Sequence, residues 1–184
     1  MRWRNTARIM ATNNPIIAEL QALAELPCRA GQHAFFERRY RDARPVDCVP
    51  MADVFTPEQL DFLKQSYRPE RKQCYKNASD LVQLISHPWA FLFDGPVKYV
   101  EGYACSNGLF PIEHAFVKVG DKYIDPTFEI VLGMDVKSCH YVSLIEMEYR
   151  DLAEILLENE YYGDIYRTVY IRGLQGRKKA KADG

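Results

Sequence analysis

Two alternating runs, Phe116 to Val119 and Lys122 to Asp125, stand on either side of Gly120-Asp121. Glycine supplies the positive φ that a two-residue hairpin turn needs, so this stretch predicts an antiparallel hairpin. A loop of that length sets the register. Val119 faces Lys122, Lys118 faces Tyr123, Val117 faces Ile124 and Phe116 faces Asp125. Side chains alternate across a strand. One face therefore holds His114, Phe116, Tyr123, Asp125 and Thr127, and the other holds Ala115, Val117, Val119 and Ile124. The second set is apolar and reads as the core side. His114 and Asp125 become diagonal neighbours about 7–8 Å apart at Cα, within reach of an imidazole–carboxylate bond. A slip of one residue would put them on opposite faces.

A nucleophile stands upstream. From Cys74, the residues Ala78, Leu81, Val82 and Ile85 recur at helical spacing, and His87-Pro88 stops the pattern. Cys74 falls in the first turn. A helix N-terminus favours a thiolate, and Arg71 and Lys72 add positive charge before it. A thiolate beside a carboxylate-held imidazole is the arrangement of a Cys-His-Asp nucleophile site. Cys28, Cys48, Cys105 and Cys139 read as packing residues.

The order Cys74, His114, Asp125 resembles that of the papain-like and transglutaminase-like superfamily. The string His114-Ala115-Phe116 … Tyr123-Ile124-Asp125-Pro126-Thr127 is similar to the His-Ala-Trp … Asp-Pro-Thr string of bacterial transglutaminase-like domains. Phe116 replaces the usual Trp, and Tyr75 replaces the Trp that often follows the Cys. The resemblance covers roughly a third of the chain. It implies a Cys-bearing helix packed on a sheet whose adjacent strands carry the His and the Asp.

The expected fold class is α+β, a mostly antiparallel sheet against the Cys74 helix with extra N-terminal helices. At 184 residues the chain suits one domain. Its expected parts are a helical segment 1–70, a core 71–128, a strand-helix-strand segment 129–175 and a basic disordered tail 176–184. A net charge of −1 argues against a nucleic-acid binder. Five cysteines without a Cys-x-x-Cys pair indicate neither a disulfide framework nor a zinc ribbon. No apolar run is long enough to span a membrane and no signal-peptide pattern opens the chain. A reducing cytoplasm is the expected compartment. No metal or other cofactor is expected.

Elsewhere, Asn14-Pro15 reads as a helix start. Residues 29–44 mix Arg29, Arg38, Arg39, Arg41 and Arg44 with Phe35, Phe36 and Tyr40. They read as an amphipathic helix with a solvated face in preference to a partner surface. Pro45 to Pro50 reads as an extended linker. Thr56, Pro57 and Gln59 make a capping-box start for a helix running to about Tyr67. Trp89 to Phe93 is a strand or a buried connector, and Asp94-Gly95-Pro96 and Ser106-Asn107-Gly108 are turns. Val97 to Cys105 suits a strand with a bulge or close backbone approach at Gly102. Tyr141 to Glu148 reads as a strand, Arg150 to Asn159 as a helix, and Ile165 to Ile171 as a last strand.

The function expected from these residues is hydrolysis of an amide or peptide bond through an acyl-thioester, with a protein or peptide substrate. Cys74 attacks, His114 moves the proton and Asp125 orients His114. Gln73 and Asn77 are candidate oxyanion or pocket residues. Tyr99, Glu101 and Tyr103 alternate on one strand face as candidates for a substrate groove. The alternatives are acyl transfer to an amine, as in a transglutaminase or acetyltransferase, and a non-catalytic binding or inhibitor protein on the same scaffold.

Overall fold

The computed structural model describes residues 14–27, 30–86, 93, 95–106 and 109–182, with 30 and 174–182 described as backbone. The chain mixes α and β. In order, the main elements are α1 (Pro15–Glu25), α2 (Ala30–Asp42), β1 (Arg44–Val46), α3 (Pro57–Ser66), α4 (Cys74–Ser86) and β2 (Val97–Ser106). Then come β3 (Ile112–Val119), β4 (Lys122–Ile124), β5 (Cys139–Glu148), α5 (Tyr149–Asn159) and α6 (Ile165–Ala182).

The strands form one antiparallel sheet in the order β1-β5-β2-β3-β4. The hairpin has the expected register, Val117 opposite Ile124, Lys118 opposite Tyr123 and Val119 opposite Lys122. Gly120 supplies the turn with φ 61°. Gly102 marks a bulge: Glu101 pairs with Ile145 while Gly102 pairs with Ser143, which leaves Leu144 as the extra residue. A Cβ on Gly102 would lie 1.9 Å from the carbonyl oxygen of Val142, so no other residue fits there.

Pro45 to Pro50 is extended as expected, but it is no linker. Val46 pairs with Tyr141 of β5, while Cys48 bridges Tyr123 of β4 and Val49 N donates to Tyr123 O at 2.8 Å. The segment thus forms one edge of the sheet as β1 and bridges the other edge at β4, so that the sheet curls. Pairing the free backbone groups of two edges is what holds the curl.

The curl gives the sheet two unlike faces. The outer face carries Tyr99, Ala115, Val117, Ile124 and Met147, packed under Leu63 of α3, the buried stripe of α4 (Ala78, Leu81, Val82, Ile85) and Leu152 and Ile155 of α5. Further along that face, Tyr103, Cys105 and Val142 pack under Ile16, Ile17 and Leu20 of α1. The inner face gathers Cys48, Val100, Ala104, Phe116, Phe128, Cys139 and Tyr141.

Local chemistry sets the helix starts. Asn14 caps α1 through its side chain on Ile16 N, with Pro15 at the first position. Thr56 and Gln59 complete a reciprocal capping box on α3. Two C-terminal expectations are corrected. Ile165 to Ile171 is the start of α6, a helix, and helical backbone continues to Ala182 through the segment expected to be a disordered tail. Ile165, Tyr166 and Val169 recur at helical spacing and pack inward, so tertiary burial overrides their β preference. The expectations for Cys28, Arg29, Trp89 to Leu92, Asp94, Asn107 and Gly108 lie outside the described residues.

Candidate active site

Cys74 opens α4. Gln73 O accepts Asn77 N at 2.7 Å to start the helix, and the stripe Ala78, Leu81, Val82, Ile85 seats α4 on the outer face of the sheet. β4 pairs with β3 only from Val117 to Val119. The β3 edge at His114 to Phe116 therefore lacks a strand partner on that side. The first turn of α4 meets this bare edge, where Cys74 reaches the Ala115 backbone and the His114 ring.

His114 is 1% exposed and Asp125 is 0% exposed. His114 Nε2 lies 2.8 Å from Asp125 Oδ2, which leaves Nδ1 as the nitrogen for Cys74. The other Asp125 oxygen, Oδ1, accepts the backbone N–H groups of Thr127 and Phe128, both at 3.0 Å. Those bonds lock the carboxylate to the π-helical turn Thr127–Val131 that follows it. Phe128 lies against the His114 ring, centroids 4.5 Å apart, and shields it.

The electrostatics follow from this geometry. Burial pushes the Cys74 thiol up. The hydrogen bond and charge of His114, with the backbone of Ala115 and Tyr75, reverse that, and the net shift is downward. Arg71 and Lys72, expected to supply the positive charge, are exposed in the turn before the helix. Burial pushes the His114 imidazole down, but the Asp125 carboxylate and the Cys74 thiol outweigh it and hold the ring well above its usual range. Cys48, Cys105 and Cys139 move the opposite way, raised first by burial.

Comparison with protein-family models, with curated proteins and with solved structures finds no match.

The site therefore stands on its own chemistry. The structure brings Cys74, His114 and Asp125 together. It assigns Asn77 differently from the sequence expectation. Its Nδ2 donates to Glu70 O at 2.8 Å and to Thr127 Oγ1 at 3.0 Å, and its Oδ1 accepts Glu70 N at 2.8 Å. Both amide hydrogens are spent, so Asn77 is a clamp between α4 and the Asp125 turn and no oxyanion donor. Gln73 is exposed beside Cys74.

Tyr99, Glu101 and Tyr103 share a face as expected but line no open groove, being 0%, 5% and 8% exposed. Glu101 accepts Tyr99 OH at 2.9 Å and the first backbone N–H groups of α6, Ile165 at 3.0 Å and Tyr166 at 3.1 Å. Tyr103 OH accepts from Arg39 at 2.5 Å. Arg39, expected on a solvated face, is turned inward. It also pairs with Glu113 at 2.7 Å and lies over the Phe35 ring.

Sequence reasoning passed over Tyr141 and Phe128. Tyr141 OH donates to Asp125 Oδ2 at 3.1 Å. The β2–β5 register puts it there, and nothing in the local sequence of β5 announces it. Among the described residues no group of His, Cys, Asp or Glu has the makings of a metal site, and no helix is long and apolar enough to cross a membrane.

Proposed function

We propose that this protein is a thiol enzyme of the papain-like or transglutaminase-like kind that cleaves an amide or peptide bond, with Cys74, His114 and Asp125 as its catalytic residues. One observation carries the reading. The Cys74 thiol is drawn down despite its burial, by a buried imidazole that a carboxylate holds on the far side. Packing alone does not require that arrangement, and the other described cysteines lack it.

The steps follow. The Cys74 thiolate attacks the substrate carbonyl carbon and a C–S bond forms. His114 passes its proton to the departing amine as the C–N bond breaks. Water then attacks the thioester while His114 takes its proton. The C–S bond breaks, which releases the carboxylic acid and restores the Cys74 thiolate beside the His114 imidazolium. Asp125 keeps Nε2 occupied so that Nδ1 serves the reaction. The backbone N–H of Cys74, at the unpaired start of α4, is the donor available for the oxyanion.

The experiment is acylation by p-nitrophenyl acetate. The expected result is a burst of nitrophenolate and an acetyl group on Cys74 by peptide mass mapping, absent in Cys74→Ala. Decay to acetate marks a hydrolase. Decay that speeds up with an added primary amine and yields its acetamide marks an acyltransferase. A Cys74 that takes no acetyl group overturns the reading and leaves the binding-protein alternative.

A further inference from the structure

Oδ2 of Asp125 has two donors. His114 Nε2 lies 2.8 Å away and Tyr141 OH 3.1 Å away. Tyr141 is fully buried on β5, across the sheet from the hairpin that carries the other two residues. Its ring is held by Phe116 at 5.4 Å and Phe128 at 6.1 Å between centroids. A buried tyrosine needs a partner for its hydroxyl, but a backbone carbonyl would serve that need. Here the hydroxyl takes the one oxygen that also holds the imidazole.

We propose that Tyr141 is a positioning residue of the site, which shares Asp125 Oδ2 with His114, draws off part of the carboxylate's charge, and so sets the pH range over which thiolate and imidazolium coexist. The inference rests on the function proposed above. Orientation of Asp125 is already secured at Oδ1 by Thr127 N and Phe128 N. What remains to the Tyr141 hydroxyl is the charge. A donor on a carboxylate weakens its pull on a neighbouring cation. Without that donor, Asp125 should hold the His114 proton more tightly, not less.

The surroundings are consistent with this sign. The ionisable groups facing the pair are Cys74 from α4, Tyr67 beyond the end of α3, Cys48 from the segment after β1, Cys139 from β5 and Glu129 from the turn after Asp125. Burial raises Tyr67, Cys48 and Cys139, which keeps those three neutral. Glu129 is engaged by Met51 N at 2.9 Å. Among the described residues, Tyr141 is the one neutral donor bonded to the shared oxygen.

The test is the rate of Cys74 alkylation by iodoacetate against pH, in the wild type and in Tyr141→Phe. An anionic reagent reacts fastest with a thiolate beside an imidazolium, so its rate falls as His114 loses its proton. The upper limb of the profile should move to higher pH in Tyr141→Phe, by roughly half a unit to one unit. If the phenylalanine variant fails to fold, 3,5-difluorotyrosine placed at 141 serves instead. It is a stronger donor and should move the limb to lower pH. An unmoved limb, or a shift opposite to either expectation, overturns the role of Tyr141. So does a loss of reactivity at all pH in a folded variant. A wild-type Cys74 that titrates as an ordinary thiol is a separate failure, of the catalytic reading itself.

Discussion

Two buried carboxylates share one bonding pattern and differ in what they lead to. Asp125 accepts two backbone N–H groups and a tyrosine hydroxyl, and so does Glu101. Asp125 has one further partner, the His114 ring, which reaches the Cys74 thiol. Among the described residues Glu101 has no cationic partner of that kind. It sits at the N-terminus of α6 and closes that helix onto β2, where the orphan donors of a helix start favour an anion. Burial raises its carboxyl to about 7 against the pull of those donors. A carboxylate with these neighbours is thus equally compatible with scaffolding and with chemistry. What separates the two is whether the network ends on a thiol, here Cys74, the proposed nucleophile.

The comparison breaks most visibly at Glu101. Glu101→Ala strands Tyr99 OH, Ile165 N and Tyr166 N, and each buried unpaired donor is costly. Thermal or urea denaturation should show a loss of about 2–4 kcal/mol, while Cys74 in the folded protein alkylates as before. A loss of Cys74 reactivity in the folded fraction would mean that the two carboxylates form one site.

A smaller effect separates them by pH. Both Glu101 and His114 hold their protons more tightly folded than unfolded. For Glu101 the stability gained is complete below about pH 4.5 and is lost as pH rises through about 7. For His114 it is complete below about pH 6.5 and is lost at higher pH. Melting the wild type from pH 4.5 to 7 should show a fall on the order of 2–3 kcal/mol. Glu101→Gln should flatten that window and leave the decline above pH 6.5, whereas Asp125→Asn should do the reverse. Identical profiles in the two variants would contradict the separate roles.

The contrast also explains what the sequence shows and what it hides. Asp125 and His114 lie either side of a glycine turn, so local parity alone puts them on one face. Cys74 is legible because its helix carries a clear stripe. Gly102 is legible because a glycine inside a strand signals close approach. Glu101 is not. Alternation puts Tyr99, Glu101 and Tyr103 on one face, but whether that face is open depends on α6. That helix was hidden by its β-branched and aromatic residues, which suit a strand equally well. Asn77 had the right distance from Cys74 for a pocket residue, and only its bonds to Glu70 and Thr127 show its amide to be spent. Tyr141, Arg39 and the closing segment Arg44 to Val49 depend on pairings far apart in the chain, which no local pattern encodes.

The smallest expected effect on stability belongs to Cys74. It opens a helix at a bare sheet edge and lies outside the apolar core, so Cys74→Ala should melt within about 0.5 kcal/mol of the wild type. A loss of several kcal/mol, the scale of a core truncation, would make it a packing residue.

The central claim is that the Asp125 network activates Cys74 as the Glu101 network cannot. Brief exposure to iodoacetamide near pH 6, followed by peptide mass mapping of all five cysteines, tests it most directly. Only a thiolate with a lowered pKa persists at that pH. Cys74 should label fastest, and Asp125→Asn should slow it about tenfold or more, with recovery at high pH where the thiol ionises unaided. Labelling of Cys105 or Cys139 ahead of Cys74, or an Asp125→Asn variant that labels as fast as the wild type, would contradict it.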